Sequence, residues 1–125
     1  MRIATAVFVL LILAGVGFFS TLPMLGKHQT IPVEVPDCAS ASECREIGNE
    51  LFGQSAFPEA IAAYSKSLAF EWNAEVNERL GIALYKIGEM EGAAERFKTG
   101  ISYAASIGDD EMVIRYQKFL KEVEK

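Results

Sequence analysis

The stretch Arg45–Leu68, "REIGNELFGQSAFPEAIAAYSKSL", decides the fold. Apolar residues keep helical spacing along it, yet Pro58 sits where a single long helix would have its interior. Proline there removes a backbone donor and clashes with the preceding turn. On the N-terminal side, Cys44, Ile47, Leu51 and Phe52 follow the i, i+3, i+4, i+7 rule. Gly53-Gln54-Ser55 then interrupts the pattern, and Ala60, Ile61, Tyr64 and Leu68 resume it. Pro58 falls in the first turn of this second segment, where a missing N–H costs nothing. The stretch therefore predicts two helices joined by a tight turn.

The same arrangement recurs in "RLGIALYKIGEMEGAAERFKTGI", Arg79–Ile101. Gly48, Phe52, Ala60, Tyr64 and Leu68 match Gly81, Tyr85, Ala93, Phe97 and Ile101, all at one constant offset. Self-similarity at a fixed period of this size marks a helical repeat. Upstream, Ser40 with Glu43 three residues later forms a capping box, so the first helix starts near Ala41. Downstream, Gly108 stops the preceding helix and Asp109 is a good N-cap. Met112, Val113, Tyr116, Phe119 and Leu120 supply an apolar stripe. Glu111, Arg115, Lys118, Lys121 and Glu122 cover the other face, as suits a terminal capping helix.

Beyond this region, residues 3–25 carry no charge, long enough for a helix to cross a hydrocarbon core of about 30 Å. The segment is either a secretory signal peptide or a retained signal anchor. It exceeds the usual apolar core of a signal peptide, and only Gly15 and Gly17 weakly match a cleavage site, which favours the anchor. Arg2 then places the N-terminus in the cytoplasm and the rest on the extracytoplasmic side; cleavage would give a secreted form. Residues 26–37, with Pro32 and Pro36 and no helical period, read as an extended tether.

From Cys38 onward the chain has ten Lys/Arg against fifteen Asp/Glu, a balance of −5. That balance speaks against nucleic acid, whose phosphates need basic contacts. No nucleophile, base and oxyanion donors assemble in the sequence, and the single histidine, His28, lies in the tether. No enzymatic activity and no cofactor or metal are expected. Cys38 and Cys44 are the only cysteines, and C-x5-C fits no zinc pattern. Outside the cytoplasm a disulfide stapling the tether to the first helix is the natural pairing; two free buried thiols are the alternative.

The two registered copies resemble the tetratricopeptide repeat family. Cys44, Ile47-Gly48, Leu51, Phe57, Ala60 and Tyr64 carry the resemblance in the first copy. Asn77, Leu80-Gly81, Leu84, Gly88, Met90, Ala93 and Phe97 carry it in the second. Ser55 in place of the turn glycine, Trp72 where a proline often closes the repeat, and the short period are departures. The resemblance implies an all-α fold: a short α-solenoid over residues 38–125, with repeats at about 41–73 and 74–106 and a capping helix at about 109–124, following the transmembrane helix over residues 1–25 and the tether.

It also implies that a protein or peptide partner binds the concave face of the first helix of each pair. Those positions fall on Ser42, Arg45, Asn49 and Phe52, then Glu75, Glu78, Ile82, Tyr85 and Lys86. Arg45 and Asn49 stand where chaperone-binding members of the family grip a carboxylate. Arg79 replaces the next such position, and Glu75 and Glu78 would repel a carboxylate. A groove wall in which Asn49 bonds to a neighbouring helix is the simpler reading. Trp72 either packs against the next helix pair, the favoured reading, or anchors a partner. The expected function is a membrane-anchored scaffold supporting assembly of a membrane complex. The alternative is a small structural subunit whose transmembrane helix packs against others through Ala14, Gly15 and Gly17. Two repeats and a cap fall short of the usual three, which favours membership of an assembly.

Overall fold

The computed structural model describes residues 33–35 and 37–125. The expected transmembrane segment and most of the tether lie outside the described residues; residues 33–35 and 37 carry no helix and are exposed. Among the described residues there are five α-helices and no strand, and no helix is long and apolar enough to cross a membrane. The helices are α1 (Ala41–Gly53), α2 (Phe57–Phe70), α3 (Ala74–Lys86), α4 (Met90–Ile107) and α5 (Asp110–Val123).

Local chemistry sets these boundaries. The Ser40 hydroxyl accepts from Glu43 N at 3.2 Å, and the Glu43 carboxylate accepts from Ala39 N at 2.9 Å. This is the expected reciprocal cap, displaced by one residue on its return arm. Asn73 caps α3 through Val76 N, and Asp109 caps α5 through Met112 N. Pro58 occupies the first turn of α2, as its chemistry requires. The repeat extends to single hydrogen bonds. Ala56 N donates to Leu51 O at 2.9 Å, and one repeat later Glu89 N donates to Leu84 O at 2.9 Å. Inside these turns Ser55 has φ 58° and its counterpart Gly88 has φ 86°.

Each helix packs against the next, α1 on α2 through to α4 on α5. Close approach comes from glycine facing an aromatic ring. A Cβ on Gly48 would come within 2.6 Å of the Tyr64 ring, and one on Gly81 within 2.6 Å of Phe97. A third such contact joins Gly100 of α4 to Tyr116 of α5. In all three the glycine and its aromatic keep the same separation along the chain. The result is two linked cores. One gathers Ala60, Tyr64, Val76 and Leu80; the other gathers Ala93, Phe97 and Tyr116; Leu84 packs against both. The α1, α3 and α5 helices share one face. The Arg79 guanidinium of α3 lies 5.9 Å above the Phe52 ring of α1, and Arg115 of α5 pairs with Glu78 of α3 at 3.0 Å. This is the repeat-like stack of antiparallel helices that the spacing predicts.

Candidate partner-binding groove

The shared face of α1, α3 and α5 holds the expected binding residues, but in three separate places.

At the N-terminal end of α1, Ser42 and Arg45 line a cavity of about 130 Å³ with Glu71 and Asn73. Arg45 thus shares its cavity with an acidic residue.

One turn on, the Asn49 Oδ1 accepts the Tyr64 hydroxyl at 2.8 Å. Asn49 therefore bonds to a neighbouring helix, the simpler of the two expected roles. Burial raises the Tyr64 pKa above its ordinary value of 10.0, with the nearby Arg79 guanidinium opposing the shift. Arg79 also pairs with Glu75 at 3.3 Å and covers the half-buried Phe52, whose ring meets Phe57 edge-on at 5.4 Å. Arg79 is the hub here. Sequence reasoning noticed it only as a departure from a family pattern, because its partners come from α1 and α2 as well as its own helix.

The third place is a groove between α3 and α5. Ile82, Tyr85 and Lys86 form one wall, Phe119, Glu122 and Val123 the other, and Phe97 contributes from α4. Its volume of about 280 Å³ lies just under the range of about 300–1,000 Å³ for small-molecule sites. A groove of that size and apolar lining suits one or two inserted side chains. Lys86 and Glu122 put one charge of each sign at the groove. Glu78 does not join it; its carboxylate is held by Arg115 at 3.0 Å, which ties α5 to α3. The sequence placed Phe119 on the apolar stripe of α5, but its pairing with Ile82 and Tyr85 depends on how α5 docks.

Cys38 and Cys44 are disulfide-bonded, with Cα atoms 5.3 Å apart, and both are buried. The bond pins the chain to the first turn of α1. Trp72 packs on Tyr103 of α4, ring centroids 5.7 Å apart, yet remains 39% exposed. Trp72 thus packs against the next helix pair, the favoured reading, while part of its ring faces solvent. Comparison with protein-family models, curated proteins and solved structures finds no match.

Proposed function

We propose that this protein is a membrane-anchored helical-repeat scaffold of the tetratricopeptide type that holds a protein or peptide partner on the face shared by α1, α3 and α5. The apolar groove of Ile82, Tyr85, Phe97, Phe119 and Val123 carries this reading. It offers an apolar slot of side-chain size beside charged side chains, which an inserted partner side chain would desolvate as at a binding hot spot. The uncharged run over residues 3–25 supports a single-pass anchor with a cytoplasmic N-terminus. The Cys38–Cys44 pair supports an extracytoplasmic domain. The anchor keeps the bound partner at the membrane, where it supports assembly of a complex.

The test is cross-linking in intact membranes, with a photoreactive residue replacing Tyr85 in the full chain. A discrete adduct that disappears in an Ile82→Glu variant is the expected result. A chain present at normal levels that gives no adduct from Tyr85, and none from the neighbouring Lys86, sinks the proposal.

A further inference from the structure

The end of the domain at which the chain enters carries exposed aromatic and apolar side chains that the groove does not use. Three contacts define this end. The disulfide holds Cys38 to the first turn of α1. Ser67 Oγ donates to Ala41 O at 2.8 Å, bringing the end of α2 to the start of α1. Trp72 packs against Tyr103 with tilted rings, bringing the end of α4 to the start of α3. Phe70 and Tyr103 are equivalent positions of the two repeats, so they occupy matching places on successive pairs. Ile107 lies one turn beyond Tyr103 on the same side of α4. Phe70 and Ile107 are 53% and 54% exposed. Residues 67–70 and 101–108 contain no charge; Glu71, exposed between Phe70 and Trp72, also lines the Arg45 cavity.

We infer that Phe70, Trp72, Tyr103 and Ile107 rest on the bilayer surface, at the boundary between headgroups and acyl chains. The inference builds on the reading of residues 3–25 as an anchor. With residues 3–25 inserted as an anchor, the twelve residues 26–37 reach at most about 40 Å, which leaves the entering end of the domain within reach of the bilayer surface. Trp and Tyr favour that boundary because their rings are apolar and their tips polar. Asp109, Asp110 and Glu111 begin α5 near this end, so the lipid it suits is zwitterionic, not anionic. Docking here would leave the groove between α3 and α5 free for a partner.

Trp72 is the chain's single tryptophan, so its fluorescence reports the contact directly. The full chain is reconstituted into phosphatidylcholine vesicles with and without brominated acyl chains. Flotation in alkaline carbonate reads whether the anchor is inserted. Brominated lipid is expected to quench Trp72 emission about twofold or more. A Phe70→Ser/Ile107→Ser variant is expected to integrate, keep its helical circular dichroism and lose most of that quenching. If the double variant loses helix, the single Ile107→Ser, at a 54% exposed position, takes its place. Anionic lipid is expected to weaken the quenching. A chain that floats while Trp72 stays unquenched by brominated lipid and open to aqueous acrylamide overturns the inference and leaves the anchor standing. The same holds if Trp72 becomes shielded only when a membrane protein extract is added. A chain that fails to float overturns both.

Discussion

The Tyr116 hydroxyl donates to the Ala74 carbonyl across 2.9 Å, from a different helix pair. In the preceding pair, Ser67 Oγ does the same for Ala41 at 2.8 Å. Ala74 is the copy of Ala41 in the second repeat, and Gly100 is the copy of Ser67. The second pair has therefore given up the hydroxyl. Gly100 instead leaves room for the Tyr116 ring, whose hydroxyl satisfies the same carbonyl from the capping helix. Replacing Tyr116 by Phe leaves that carbonyl without its donor and is expected to cost about 1–3 kcal/mol. Urea denaturation followed by circular dichroism reads the loss. An unchanged midpoint would mean water reaches the Ala74 carbonyl and the cap is not needed there.

Glycine at the helix crossings is a packing requirement. Gly81→Ala drives a methyl into the Phe97 ring and is expected to destabilise by about 1–3 kcal/mol. Gly53→Ala, where nothing lies within 4 Å of the added Cβ, serves as the control and is expected to be neutral or mildly stabilising. Equal effects at the two sites would show that ring contact is not the cause.

Ser55 adopts φ 58°, a left-handed conformation that disfavours a side chain, whereas its counterpart Gly88 takes φ 86° freely. Ser55→Gly is expected to stabilise by about 0.5–1 kcal/mol, after the greater freedom glycine has in the unfolded chain is deducted. Thermal denaturation of the variant beside wild type checks it, and a fall in Tm contradicts it.

Burial raises the pKa of both Tyr64 and Tyr116 above 10.0. The folded protein therefore keeps phenolic protons that the unfolded chain releases. The stability this lends is complete below about pH 10 and is lost as pH rises through the folded values. The urea midpoint is expected to hold between about pH 8 and 9.5 and to fall above about 10. A Tyr64→Phe variant starts less stable, because Asn49 loses its donor, but its midpoint falls less steeply in the alkaline range. Parallel slopes for the two proteins would remove Tyr64 from the alkaline transition.

Much of the fold was legible because its signals are local. Ser40 and Asp109 cap the helices they precede, since a short oxygen-bearing side chain reaches the second or third N–H of the helix. Pro58 marks a helix start, and the repeat period returns even in the turn hydrogen bonds. The site was less legible. Ile82, Tyr85 and Lys86 do meet in the groove, but Arg45, Asn49, Phe52, Glu75 and Glu78 lie elsewhere on the shared face. Position on a helix face follows from spacing. Whether a side chain there is free depends on which neighbour reaches it, and Asn49 and Glu78 are taken by Tyr64 and Arg115.

The sequence by itself determined the five-helix pattern, its main caps and turns, and the registration of the two repeats. Each of these rests on interactions within one or two turns or on an internal copy that can be aligned by eye. Only the tertiary structure decided that Arg79 is a hub, that Tyr116 completes the Ala74 carbonyl, and that Phe119 and Val123 close a groove with Ile82 and Tyr85. Those relationships depend on the docking angle and register of α5 against α3 and α4. Summed contacts over the whole interface set that docking, and no short window of residues encodes it.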